Sequence, residues 1–205
     1  MRTLVIDTAT RACSVALFVD GQSVASHYEV IGRGHAERLV PLIADLPNRG
    51  RADQIVVNVG PGSFTGIRVG VAAARALGLA WGVPVSGYGC LTLVAAMARA
   101  GCAMSVDVVM TGGHGEYFFQ SFGDDGLAIL PAASLAPSIV KANANAERVA
   151  GDLAPDFRAM LDNRSIVDVL PDAASWHLIA DITPFAASPV YCRAPDAQMP
   201  KGVAA

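Results

Sequence analysis

Asp7 closes an apolar run and is followed by Thr8 and Thr10. A carboxylate and two hydroxyls just past a strand end could hold a metal–phosphate complex; an Asp there is equally a turn residue. Gly60-Pro61-Gly62-Ser63-Phe64-Thr65-Gly66 stands between the apolar run 54–59 and a helical pattern reaching 82. Glycines let two backbones approach closely, and the N–H groups that open a helix attract anions. The turn is therefore either a phosphate cradle, in which Gly62 and Ser63 would act with Asp7, Thr8 and Thr10, or a tightly packed corner. No Lys follows the glycines as in a P-loop, and Gly60, Gly62 and Gly66 do not follow the order of a dinucleotide fingerprint. Asp107, the acid that would partner Asp7, falls inside an apolar strand. His35 opens a helix, but the position four residues on is Leu39. An i, i+4 imidazole pair, which would hold a metal from one face, is thus missing, and Glu37 lies about 200° around the axis. Capping or an interface is the expected role of His35, and no metal site is expected in the chain. Nucleophilic chemistry finds little support: Ser63 and Thr65 read as helix caps, and no G-x-S-x-G elbow accompanies His114.

Gly66, Gly70, Ala74, Gly78 and Gly82 recur at every fourth position. An interior Gly costs roughly 1 kcal/mol relative to Ala, so this ridge needs an offsetting close approach. The approaching surface is either the chain's own sheet or, together with helix 35–46, a second subunit. Arg68 and Arg75 share this helix, and a guanidinium fork suits pairing with a partner's carboxylates.

These groups are positioned by a clear succession of elements. Apolar runs predict strands at 3–6, 14–19 and 23–30, with Asp20-Gly21 as a hairpin signal. Leu39, Val40, Leu42, Ile43 and Leu46 fall at helical spacing from His35 and stop before Pro47. Strand 54–59, helix 64–82, strand 83–88 and helix 91–99 follow. Three antiparallel strands and then crossover helices give an α/β unit, a mixed sheet with helices on its faces. Gly101 marks a boundary between a unit at 1–100 and a smaller one at 101–205. The second unit opens again with three predicted strands, 105–110, 117–122 and 127–130, an echo of the first. Past 131 the signal thins to a helix at 155–161, a strand at 166–169 and a helix at 173–182. A reduced second lobe and a frayed tail from 198 are expected.

The chain has 205 residues, 53% of them hydrophobic, enough for one large domain or two small ones. A net charge of −3 argues against gripping nucleic acid alone, since phosphate contacts need clustered cations. The densest basic region, Arg33, Arg38, Arg49 and Arg51, is interrupted by Glu37 and Asp45 and reads as a solvated face or a partner-facing edge. No run of about 18 uncharged apolar residues predicts a membrane span. The opening residues lack the apolar stretch of a signal peptide. Cys13, Cys90, Cys102 and Cys192 are scattered, as in a reduced cytoplasmic protein.

The segment 4–10 with Asp7-Thr8-Ala9-Thr10, the run 13–17 and the motif Gly60 to Gly70 together resemble the bacterial TsaB (YeaZ) family. The resemblance extends from residue 1 to about 122 and returns at 188–195. It implies an actin-like (ASKHA, ribonuclease-H-like) fold of two lobes with mixed sheets. It also implies a non-catalytic partner, not an enzyme by itself, in making threonylcarbamoyladenosine on tRNA. In that setting the chain pairs with a metal- and ATP-dependent TsaD-like subunit and a small TsaE-like ATPase. ATP and the metal ion then belong to the partners, the chain has no cofactor of its own, and tRNA is reached mainly through the complex. Alone, it could form a homodimer. The family's two N-terminal helices form the dimerisation surface, here residues 35–46 and 63–78, with His35, Leu39, Leu42, Ile43, Gly66, Ile67, Arg68, Gly70 and Ala74 as interface candidates. The family shows an Asp-Ala-Arg-like motif before Gly-Glu; this chain has Thr111-Gly112-Gly113-His114 before Gly115-Glu116. The alternative is a small actin-like ATPase or kinase acting alone through Asp7 and the 60–66 turn.

Overall fold

The computed structural model describes residues 1–153, 155–161 and 164–192. β1 (Arg2–Asp7), β2 (Ala12–Val19) and β3 (Gln22–Val30) form an antiparallel meander. β1 and β2 are buried almost throughout, so both their faces are covered, whereas β3 alternates toward solvent as an edge strand does. Asp20 and Gly21 both take positive φ (49° and 80°), the backbone a tight two-residue hairpin requires. α1 (His35–Asp45) turns Leu39, Leu42 and Ile43 onto the sheet. β4 (Gln54–Asn58) lies parallel to β1, and β5 (Val85–Tyr88) parallel to β4. α2 (Phe64–Trp81) connects β4 to β5, and α3 (Cys90–Ala98) follows.

A second sheet repeats this plan with β6 (Val106–Thr111), β7 (Tyr117–Phe122) and β8 (Ala133–Leu135) antiparallel. After α4 (Pro137–Asn143), β9 (Arg148–Gly151) lies parallel to β6; after α5 (Pro155–Arg158), β10 (Ser165–Asp168) lies parallel to β9. The strand orders β3-β2-β1-β4-β5 and β8-β7-β6-β9-β10 correspond one to one. α3 lies between the sheets: Leu93 packs with Val5, Ala16 and Phe18, and Leu91, Val94 and Ala98 pack with Val106, Val108 and Phe122.

The expected second unit, 101–205, is corrected at its far end. After β10 the chain returns to the first lobe, where a 3-10 helix, Ala173–Ile179, packs under β1 and β2 and β11 (Phe185–Ala186) joins the edge of β5. Val190 N–H donates to Val59 O, extending this strap along the first sheet. The predicted strand 127–130 contributes only a bridge between Ala128 and Phe122; the third strand of the repeat is β8. The helix predicted at 155–161 is the single turn α5, and that at 173–182 is the shorter 3-10 helix. The tail from 198 lies outside the described residues. No helix among the described residues is long and apolar enough to cross a membrane.

Candidate functional site

The glycine turn is a packed corner between β4 and α2. Ser63 N–H donates to Ala9 O at 2.6 Å, and Cys90 N–H to Gly60 O at 2.9 Å. A Cβ on Gly62 would lie 2.1 Å from Ala9 O, one on Gly66 2.1 Å from Thr8 O, and one on Gly70 2.3 Å from Thr8 Oγ1. No side chain fits any of these gaps, so the residue type is set by contact with the β1–β2 turn. Gly78 meets Val85 in the same way at 2.3 Å. The ridge therefore seats α2 on the chain's own sheet, and Gly70→Leu would break the fold rather than an assembly.

Asp7 sits at the centre of this corner, fully buried. Its carboxylate accepts from Asn58 Nδ2 at 2.7 Å, Tyr88 Oη at 2.7 Å and Ala9 N–H at 3.1 Å. Burial pushes its carboxyl up to about 6, against the pull of those three donors. Thr8, also buried, donates its hydroxyl to Gly66 O at 2.7 Å. The phosphate role expected of Asp7 and Thr8 is thus corrected, because their polar atoms are sealed inside the corner and bonded there. Thr10, Gly62 and Ser63 do border the interlobe cleft. Thr10 Oγ1 accepts from Ala12 N–H, and Ser63 Oγ caps α2 by accepting from Gly66 N–H. Asp107 is no counterpart of Asp7: it lies at the opposite end of its strand, where it accepts from Ser121 Oγ and Ala146 N–H.

Most of the expected interface residues also point inward. Leu39, Leu42, Ile43, Gly66, Ile67, Gly70 and Ala74 are buried in the core between α1, α2 and the sheet. His35 is buried too, with Nε2 3.1 Å from Ala12 O, so that nitrogen carries the proton and donates. With Leu39 in the core, the residues do not fit a helical metal pair. Among the described residues no group of three His, Cys, Asp or Glu could hold a metal ion. The outward faces of the two helices carry different residues, which sequence reasoning missed. Ala36, Val40 and Ala44 stand exposed on α1, and Ala72, Ala76 and Leu79 on α2. Val40 is 61% exposed and Leu79 87%. An apolar residue out of phase with the buried i, i+3, i+4 set was the available signal.

Arg68, the remaining interface candidate, turns to the strap instead of the open face. Its Nε donates to Tyr191 Oη at 2.9 Å, and its guanidinium lies 3.6 Å from the Phe64 ring centroid. These groups border a cleft of about 980 Å³ between the lobes, closed from the second lobe by Met110, Phe118 and Asp152. Arg11 crosses the cleft to Asp152 with two N–H···O contacts of 3.2 Å, while Thr111 Oγ1 donates to Asp152 O.

Two repeated mixed sheets with helices on their faces and a cleft between them define a two-lobed, actin-like (ASKHA) protein. The ethanolamine utilization protein EutJ of Carboxydothermus hydrogenoformans shares this fold, with a TM-score of 0.53 over 87% of this chain and 89% of that one at 14% identity. The chain belongs to the TsaB/YeaZ family. YeaZ from Pseudomonas aeruginosa superposes with a TM-score of 0.78 at 28% identity, covering 93% of this chain and 99% of that one. A family profile described as TsaD, tRNA N6-adenosine threonylcarbamoyltransferase, matches residues 26–134. The tRNA threonylcarbamoyladenosine biosynthesis protein TsaB of Escherichia coli (strain K12) is 37% identical over 131 residues, 61% of this chain and 56% of that protein. An uncharacterized protein of Mycobacterium tuberculosis is 34% identical over 210 residues, 95% of this chain and 93% of the relative. Against the TsaB proteins of E. coli and Haemophilus influenzae the match spans about half of their length, 56% and 41%.

Proposed function

We propose that this chain is a non-catalytic subunit of the cytoplasmic apparatus that makes N6-threonylcarbamoyladenosine on tRNA, docking on a TsaD-type catalytic subunit through the outward faces of α1 and α2. The observation that carries this reading is the exposure of Ala36, Val40 and Ala44 on α1 and of Ala72, Ala76 and Leu79 on α2, two helices that pack against each other. A patch of this kind marks an interaction surface, and its small side chains admit close approach by a partner's helices. Kinship supports a TsaD-type partner: a chain that matches a TsaD profile is a relative of that subunit, and related subunits can pair face to face about a pseudo-two-fold axis. Asp7 is sealed in the core and Leu39 stands where a metal pair would need a second imidazole, which supports a role without chemistry of its own. The metal ion, ATP, a TsaE-like ATPase and most of the grip on tRNA then come from the rest of the complex. Docking acts by population shift, favouring the partner's competent conformation without touching substrate.

Size-exclusion chromatography with light scattering, on this chain with and without its cognate TsaD-type subunit, tests the reading. A one-to-one heterodimer is expected, with Leu79→Glu weakening it at least about 100-fold by burying an unpaired carboxylate. The fold should be unchanged, because Leu79 is 87% exposed. A heterodimer indifferent to Leu79→Glu, or a partner fully active over many turnovers alone, would sink it. A homodimer of the isolated chain that is lost in the same variant would show one face serving both contacts.

A further inference from the structure

We propose that the interlobe cleft binds a small anion with a planar, apolar body, held by Arg68 at its charged end and by Phe64 and Tyr191 along its plane. Arg68 is oriented in advance of any ligand. Its guanidinium is stacked 3.6 Å from the centroid of Phe64, Tyr191 Oη accepts from Nε at 2.9 Å, and the two rings stand 5.7 Å apart. These contacts use the face and one N–H of the guanidinium. Among the described residues Nη1 and Nη2 have no hydrogen-bond partner and form no ion pair, whereas Arg11, Arg38 and Arg158 each pair with an acid. A fixed guanidinium with its terminal N–H groups unspent matches the two oxygens of a carboxylate or phosphate.

The rest of the cleft sets the body of the ligand. It encloses about 980 Å³, and beyond Arg68 its walls are largely apolar, with Pro61, Met110, Phe118 and Val190 prominent. That volume suits a small organic molecule. Phe64 and Tyr191 are 57% and 49% exposed, large ring area left in water that a flat ligand would cover. Because Met110 and Phe118 belong to the second lobe, an occupant touches both lobes at once. Binding in the cleft does not depend on the subunit reading.

Isothermal titration of the full chain with 2-naphthoate, 1-naphthyl phosphate and uncharged 2-naphthalenemethanol tests the proposal. At least one anion should bind with one site per chain, the tighter of the two assigning the charged group, and the alcohol should bind much more weakly. Arg68→Gln should weaken that binding at least about tenfold. Phe64→Ala, at an exposed position that the fold tolerates, should weaken it several-fold, and Leu79→Glu should leave it unchanged. In the wild type, amide resonances of Thr111 and Gly112 should shift with the same saturation. No saturable binding below about 1 mM, equal binding of the alcohol, or binding indifferent to both Arg68→Gln and Phe64→Ala overturns the proposal.

Discussion

Residues 2–88 and 106–168 follow one strand order, β3-β2-β1-β4-β5 in the first lobe and β8-β7-β6-β9-β10 in the second, and differ in what is laid upon it. Where the first lobe connects its parallel strands with α2, 18 residues long, the second uses α5, with 4. The long helix can lie close to the sheet because Gly66, Gly70 and Gly78 remove the side chains that would hold it away. Seated that way, α2 turns its other side outward beside α1 and exposes Ala72, Ala76 and Leu79; among the described residues the second lobe has no helix long enough to do so. The strand ends differ as well. Asp7 ends β1 in a sealed hydrogen-bonded cluster, and Thr111, which ends β6, lies exposed and reaches Asp152 at the cleft. One strand order thus carries two different coverings, a platform of long helices and a lighter wall that closes the cleft.

Gly66→Ala should break the platform most severely. Its Cβ would lie 2.1 Å from the Thr8 carbonyl, backbone against backbone, and a cost of about 3–5 kcal/mol is expected in urea unfolding. Gly113→Ala in the second lobe meets nothing within 4 Å and should change stability by less than about 0.5 kcal/mol. Equal costs would mean that close approach to the Thr8 carbonyl does not set the residue type at Gly66.

The buried acid gives the next largest effect. The Asp7 carboxyl titrates near 6 in the folded chain against an ordinary 3.8, so the folded state holds this proton more tightly than the unfolded one. Its stabilising contribution is complete below pH 3.8 and is lost as pH rises through 6. At roughly 1.4 kcal/mol per pH unit, the loss amounts to about 3 kcal/mol. Asp7→Asn should remove this slope, so that unfolding free energies of the two proteins measured from pH 4 to 7 diverge by about that much. Parallel curves would show that Asp7 is not the titrating group.

The smallest effect lies between the lobes. Arg11→Ala removes the pair with Asp152, whose side chains are 48% and 23% exposed, and should cost about 0.5–1 kcal/mol at low salt and less at high salt. A larger loss, insensitive to salt, would mean that the lobes are held by this contact rather than by the apolar packing around α3.

The first lobe was largely legible in the sequence. Its strands are long enough to show a period, Asp20-Gly21 marks its hairpin, and α1 carries four apolar residues at helical spacing. The second lobe was legible in its opening hairpin and in β10, which falls on the strand predicted at 166–169. β8 has three residues, β9 four and α5 four, too short for either period to repeat often enough to stand out, and the strap is ordered by the sheet edge it meets. The site was misread for a different reason. The resemblance pointed to whole helices, and His35, Leu39, Leu42, Ile43 and Ile67, taken from them as interface candidates, are buried, while Val40 and Leu79 lie on the outer face.

What the sequence by itself determined is the chain's kinship and the α/β plan of its first half, because hydrophobic period, turn residues and a glycine motif are local properties. It also limited the chemistry, since Leu39 at the fourth position from His35 leaves no paired imidazole. Which surface each glycine served was decided only by the tertiary structure, as was the sealing of Asp7 by Asn58 and Tyr88 and the meeting of Arg68 with Tyr191, 123 residues apart in the chain. Those outcomes depend on contacts between distant segments, and a spacing of four fixes which residues share a helix face but not what that face will meet.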